Sequence, residues 1–111
     1  MTTKLNKHDK LSFAFHAAVK RELISDPERV LTIAKNNLKR WRENYNDIPK
    51  WMADWNKIIE KGASDVVNVL DGKDEESTLL RSSSPFTGVI SQTERMEIII
   101  KYGESENAHT E

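Results

Sequence analysis

Apolar residues recur at intervals of three and four along most of this chain, which is the spacing of one face of a helix. The clearest stretch begins at Asp26, a capping residue followed by Pro27, which suits the first helical turn. A helix is predicted over residues 27–45, with apolar residues on one side and basic residues on the other. The apolar side consists of Val30, Ala34, Leu38, Trp41 and Tyr45, and the basic side of Arg29, Lys35, Lys39 and Arg42.

A second amphipathic helix is predicted just before it, over residues 9–24. Its apolar face is broad and consists of Leu11, Phe15, Ala18, Val19 and Leu23, widened by Phe13, Ala17 and Ile24. A face of this width indicates contact with more than one other helix, or with a second chain. Because the break between the two helices is short, we expect them to form an antiparallel hairpin.

Three shorter helices are predicted next, each bounded by turn-forming residues. The first spans 49–61 and should stop at Gly62. The second contains residues 66–70 and should be capped by Ser64 and Asp65. The third, over 75–81, is short and weakly amphipathic.

The last part of the pattern is a loop followed by one more helix. Residues 82–90 are rich in serine, with a proline and a glycine, which favours a loop. Ser91 and Glu94 have the spacing of a capping box and predict a helix start. Its buried side should consist of Met96, Ile99 and Ile100, although the run 98–100 also favours a strand.

Together these elements predict an all-α fold, a compact bundle of about five to six helices in one domain over residues 1–111. The polar ends, 1–8 and 103–111, are expected to be flexible tails. No signal peptide or membrane-length apolar run occurs, and there is no cysteine. We therefore expect a cytoplasmic protein that binds no membrane.

The net charge of −1 hides a division between the two halves of the chain. Residues 1–45 carry ten Lys and Arg against five Asp and Glu, whereas residues 46–111 carry seven against thirteen. Such a division indicates either two faces with different partners or halves that attract each other.

No motif indicates catalysis or a cofactor. His8, His16 and His109 share no metal-ligand spacing and are interpreted as surface histidines. Phosphate-binding glycine loops and nucleophile motifs do not occur. We therefore expect a non-enzymatic protein with no catalytic residues, metal site or cofactor.

The segment 81–88 is the most unusual in composition. It combines Arg81 with three serines, a proline and Phe86. One interpretation is a partner contact in which Phe86 enters a pocket of another protein. The alternative is that Phe86 and Val89 pack under the bundle and fasten the last helix.

The basic side of helix 27–45 and the tryptophans each have two interpretations. Lysines and arginines there could contact the phosphates of a nucleic acid, or they could form an ordinary solvated helix face. Trp41, Trp51 and Trp55 could form an interaction surface, but core packing is more common at helical spacing.

Two segments resemble a group of small bacterial proteins. FHAAVKRELISDPERVLTIAKNNLKRW (15–41) and LLRSSSPFTGVISQTER (79–95) are similar to antitoxin or regulator components of toxin–antitoxin modules. The residues that match the pattern are Arg40, Trp41, Arg81, Ser84, Pro85, Phe86, Gly88, Glu94 and Arg95. Some members bear an additional helix-turn-helix; we expect none in this chain, so DNA binding of that kind is not implied. The pattern has an aromatic residue where this chain has Met96.

The resemblance implies an antitoxin that binds and neutralises a cognate toxin protein by covering its active site or substrate path. The expected partner-binding residues are Arg81, Ser82, Ser83, Ser84, Pro85, Phe86 and Arg95. An acidic partner, or DNA in the alternative of a transcriptional regulator, would meet Arg29, Lys35, Lys39, Arg40 and Arg42. A third hypothesis is a homodimeric adaptor built on the wide face of helix 9–24.

Overall fold

The computed structural model describes the backbone of residues 7–104 and the side chains of residues 10–102. Within that range six α-helices follow one another, the last running into a π-helical turn. Their bounds are α1 Lys7–Ser25, α2 Pro27–Arg42, α3 Lys50–Lys61, α4 Ala63–Asp71, α5 Glu75–Ser82 and α6 Gln92–Ile99, with the π-turn at Ile100–Glu104. The predicted all-α class is confirmed. The predicted flexible tails lie largely outside the described residues.

The first helix, α1, is the one around which the others pack. It contacts α2, α4, α5, α6 and the π-turn, as the width of its apolar face indicated. Ala18, Val19 and Leu23 are buried at these contacts. The prediction for Ile24 was wrong, because this side chain follows the buried Leu23 by one position, about 100° around the helix, and is exposed.

The ends of α2 and α3 follow from local chemistry. Asp26 accepts a hydrogen bond from the Arg29 amide at 3.3 Å and so caps α2. This helix ends at Arg42, short of the predicted 45, and the turn that follows leaves Tyr45 exposed instead of buried. Gly62 ends α3 at φ +121°, a conformation that favours glycine.

The start of α4 differs from the prediction. The helix begins at Ala63 with Gly62 as its N-cap, so Ser64 and Asp65 already lie inside it and do not cap it. The next helix is capped by Asp74, whose carboxylate accepts the Ser77 amide at 3.0 Å. The Ser77 hydroxyl, and to a smaller extent this amide bond, lower the pKa of Asp74.

The core brings α3 against the loop between α5 and α6. The rings of Trp55 and Phe86 meet edge to face, with their centroids 5.3 Å apart. The Trp55 indole donates to the Leu80 carbonyl at 2.9 Å, so its buried N–H has a partner. The buried apolar residues are Ala18, Val19, Leu23, Val30, Ala34, Leu38, Met52, Trp55, Ile59, Val66, Val69, Leu70, Leu80, Phe86, Val89 and Ile90.

Two ion pairs join the basic half of the chain to the acidic half. Lys20 pairs with Asp71 at 2.8 Å, and Arg21 pairs with Glu94 at 2.7 Å. The Arg21 pair raises the pKa of that guanidinium and lowers the pKa of the Glu94 carboxyl. Attraction between the halves, one of the two interpretations of the charge division, therefore operates at α1.

Residues 92–102 are helical, so of the two structures that their sequence allowed, helix and strand, the helix is the one that forms. Ser91 caps α6 by accepting the Glu94 amide at 3.1 Å, while the Glu94 carboxylate turns to Arg21. The predicted buried side was wrong. Met96, Ile99 and Ile100 are 44%, 38% and 53% exposed, and Ile98 packs against the core instead.

Candidate partner-binding groove

The loop 83–90 is held in place by hydrogen bonds from α2. The buried amide of Asn37 donates to the carbonyls of Pro85 at 2.8 Å and Thr87 at 2.9 Å. Arg40 in turn donates to the Asn37 side-chain oxygen at 2.7 Å, which fixes the orientation of that amide. The loop is therefore a fixed wall of the molecule.

The Phe86 side chain has no exposed surface, and Pro85 beside it is also buried. Phe86 packs on Trp55, and Val89 lies in the same core. Of the two interpretations of Phe86, the fastening one describes its position. Ser84 supports this turn, because its hydroxyl accepts the Phe86 amide at 3.3 Å.

Beside this loop lies a cavity of about 340 Å³ between α1, the segment 81–90 and α6, which we call the α1–α6 groove. It brings together four of the predicted partner-binding residues, Arg81, Ser82, Ser84 and Arg95. The rest of its lining consists of Leu11, Ser12, Phe15, His16, Thr87, Gly88, Ile90, Ile98 and Ile99. Ser83, Pro85 and Phe86 do not line it.

The Arg81 side chain is 4% exposed, and its guanidinium is occupied by the protein itself. It donates to the carbonyls of Val69 and Gly72, both at 2.6 Å, at the C-terminal end of α4. Unpaired carbonyls and the helix dipole make that end negative, so a buried cation is stabilised there. The guanidinium also lies 4.6 Å from the centre of the Phe13 ring.

His16 is buried at 3% exposure, which corrects its interpretation as a surface histidine. Its Nδ1 donates to the Ser12 carbonyl at 2.8 Å, so Nε2 is the unprotonated nitrogen of the neutral ring. Nε2 is buried and has no hydrogen-bond partner among the described residues. Burial lowers the pKa of His16 to about 4, with a smaller contribution from the charge of Arg81, so the ring is neutral at pH 7.

The accessible polar groups of the groove come from Arg95 and from hydroxyls. Arg95 is exposed and forms no ion pair with any carboxylate of the described residues. Ser82, Ser84 and Thr87 add hydroxyls, and no acidic side chain appears in the described lining. The groove thus combines apolar walls with positive charge.

A second cleft of about 330 Å³ lies on the other side of the serine run. It is lined by Trp41, Asn44, Tyr45, Trp51 and the three serines 82–84. The Tyr45 and Trp51 rings meet edge to face at 6.4 Å. The tryptophans therefore divide, with Trp55 in the core and Trp41 and Trp51 partly exposed at this cleft.

The basic residues of α2 have different surroundings. Arg29 pairs with Glu22 at 2.8 Å, and Arg40 is bonded to Asn37. The other three, Lys35, Lys39 and Arg42, are exposed and have no ion-pair partner in the described part of the chain. Among the described basic residues of α2, these three have neither an ion pair nor a side-chain hydrogen bond.

Two further features concern the other hypotheses. On the α1 face assigned to a homodimer, Ala17 is exposed while Phe13 is partly covered by Arg81. Among the side chains of residues 10–102, no three His, Asp or Glu residues lie together as metal ligands. None of the described helices is both long and apolar enough to cross a bilayer.

The buried structural roles of His16 and Asn37 were not predicted from the sequence. Both are polar residues within an apolar stripe, His16 three positions before Val19 and Asn37 three positions after Ala34. A polar residue at such a position signals a buried hydrogen bond, and each of these two makes one. The groove itself combines three segments that are distant in sequence.

A scan against protein-family models finds no match for this chain, and comparisons with curated proteins and with solved structures find no significant similarity.

Proposed function

We propose that this chain is a non-enzymatic antitoxin-like protein that holds a segment of a partner protein in the α1–α6 groove. The observation that carries the proposal is the exposed apolar side of α6 and the π-turn, formed by Met96, Ile99 and Ile100. No residue of α6 is fully buried, although three isoleucines follow one another at its end. Apolar side chains clustered beside a cavity are characteristic of protein interfaces.

The resemblance to antitoxins supports a toxin as the partner. An inhibitor of this kind acts by covering the active site or substrate path of the toxin, so it needs affinity and no chemistry of its own. The setting that this proposal implies is the bacterial cytoplasm. Arg95, Ser82 and Ser84 lie at the groove and would contact the partner, whereas Pro85 and Phe86 would support the loop from below.

The test is affinity capture of the tagged full chain from its native host, with nuclease treatment and identification of the bound proteins. We expect one stoichiometric protein partner encoded by the adjacent gene. Ile99→Gln should lose most of this partner, because Ile99 is exposed and lines the groove. Failure to capture a protein with the unmodified chain would contradict the proposal.

Leu79→Gln is the matched control for Ile99→Gln. Leu79 is also an exposed apolar residue on a short helix, at 61% exposure, but it lies on α5 and outside the groove. We expect Leu79→Gln to retain the partner and both variants to keep their helical circular dichroism. Equal losses from both variants would show that the partner does not use the groove.

A second candidate function is nucleic-acid binding by α2. Lys35, Lys39 and Arg42 lie at positions i, i+4 and i+7 of one helix, are exposed and have no ion-pair partner among the described residues. Phosphates would bind such a face without reading sequence.

This candidate is tested by titrating labelled duplex DNA at increasing salt. Each lost phosphate contact should reduce the salt slope by about 0.9, so Lys35→Gln and Lys39→Gln should each flatten the plot. Lys57→Gln is the control, because Lys57 is exposed and belongs to α3 instead of α2. Absence of binding at low salt would exclude this candidate.

A further inference from the structure

We infer that the segment held in the α1–α6 groove carries an acidic side chain between apolar ones, and that Arg95 selects it by pairing with its carboxylate. The inference rests on the proposed function and adds the chemistry of the partner. It also assigns to Arg95 a role in specificity.

The positive charge of the groove is the first reason to expect an acidic occupant. Two guanidinium groups line it, and no carboxylate does among the described residues. Hydrogen bonds from Arg81 go to the carbonyls of Val69 and Gly72 at the end of α4. Arg95, by contrast, is exposed and can turn to an incoming anion.

The carboxylates nearest to Arg95 in sequence do not neutralise it. Both oxygens of Glu94 accept hydrogen bonds from Arg21 at 2.7 Å, so this carboxylate is already paired across to α1. Glu97 lies two positions beyond Arg95, about 200° around the helix, and forms no ion pair with it. Arg95 therefore faces the groove with its charge uncompensated by its neighbours on α6.

The apolar walls beside Arg95 indicate that apolar side chains flank the acidic one in the bound segment. Phe15, Ile90 and Ile98 line the groove and give that side an apolar surface. A charge-assisted hydrogen bond to a carboxylate is stronger beside such a wall than in open water. An anion with apolar flanks fits both features at once.

The occupant is a polypeptide segment because the apolar surface continues beyond the cavity. Met96 and Ile100 are exposed on α6 and the π-turn but do not belong to the lining of the groove. A small ligand inside the cavity would leave them uncovered, whereas a chain crossing the groove would cover them as well. Hydroxyls of Ser82, Ser84 and Thr87 offer partners to its backbone.

The test uses two blocked peptides, acetyl-Ser-Leu-Glu-Leu-Ser-amide and the same peptide with Gln in place of Glu. Each is titrated into the nitrogen-15-labelled full chain, and backbone resonances are followed. We expect the Glu peptide to bind about fivefold more tightly and to shift resonances of the groove. Arg95→Gln should remove this preference, whereas Lys57→Gln, an equal charge change at an exposed lysine of α3, should leave it intact.

Three results would overturn the inference. Equal affinity for the two peptides would remove the acidic preference, while a partner captured by the tagged chain would keep the proposed function. Shifts that map to another surface would remove the groove as the site. Octanoate binding as tightly as the Glu peptide, with the same dependence on Arg95, would assign a small amphipathic carboxylate instead of a segment.

Discussion

Arg81 and Arg95 line the same groove, but the two side chains have different surroundings. Arg81 is buried and its hydrogen bonds go to α4, whereas Arg95 is exposed and has no ion-pair partner among the described carboxylates. The first therefore contributes to folding and the second is available to a ligand. Burial and hydrogen bonding, more than residue type, separate the two roles.

Replacing Arg81 with Met should destabilise the protein strongly. The substitution removes the guanidinium donor from the carbonyls of Val69 and Gly72, and Val69 keeps only the 3.3 Å bond from the Gly72 amide. The expected cost is about 2 to 4 kcal/mol in the free energy of unfolding. Urea unfolding followed by circular dichroism measures this change. Arg95→Met is the control and should change the free energy of unfolding by less than about 0.5 kcal/mol. Equal effects at the two positions would contradict the assignment.

His16 should make stability depend on pH. Its pKa is 6.5 in the unfolded chain and about 4 in the folded protein, so the unfolded state binds more protons between these values. The contribution is fully present above pH 6.5 and is lost as the pH falls toward 4. We expect the free energy of unfolding to be about 2 kcal/mol lower at pH 5 than at pH 7.

Urea unfolding at the two pH values checks this prediction, with His16→Gln as the comparison. Glutamine does not titrate and can still donate to the Ser12 carbonyl, so this variant should lose the pH dependence between 5 and 7. If the variant and the unmodified chain change alike, His16 is not the titrating group.

The burial of the polar side chains of Asn37 and His16 could not be predicted from the sequence. Their spacing placed them on apolar stripes, but their partners lie on a distant loop for Asn37 and on the preceding turn for His16. Only the fold brings Pro85 and Thr87 to the amide of Asn37. The burial of a polar side chain therefore follows from tertiary contacts that the local pattern does not contain.

At the scale of elements, hydrophobic spacing and capping residues predicted most helix bounds correctly. Gly62, Asp26 and Ser91 act where the sequence indicated, because their effects are local. The buried side of α6 was predicted wrongly. Apolar residues lie on several sides of this short helix, so their spacing does not determine which side packs against the rest of the protein. The Arg21–Glu94 pair and Ile98 decide its orientation against α1.

Phe86 joins two elements, so its removal should loosen both. Phe86→Ala would leave a cavity beside Trp55 and should lower the free energy of unfolding by about 3 to 5 kcal/mol. Thermal and urea unfolding measure this loss. Leu79→Ala, at an exposed position, is expected to have little effect. A Phe86→Ala variant of unchanged stability that had lost its partner would assign Phe86 to partner contact instead.

At the scale of the whole molecule, the groove depends on three segments that are far apart in sequence. Residues of α1, the loop after α5 and α6 meet there, and Asn37 of α2 fixes the loop from behind. The sequence predicted Arg81, Ser82, Ser84 and Arg95 as residues of one site, and Arg81, Ser84 and Arg95 of these match the pattern of the resemblance. It could not predict that α6 would leave apolar residues exposed beside them.

Site-specific crosslinking in the native host tests the central claim, that a partner protein occupies the α1–α6 groove. A photoreactive benzophenone amino acid is placed at Ile99, which is exposed and lines the groove, or at Lys57 on α3 as a control. We expect illumination to join the Ile99 position to one protein and to leave the Lys57 position unlinked. Crosslinking at Lys57 and none at Ile99 would contradict the account.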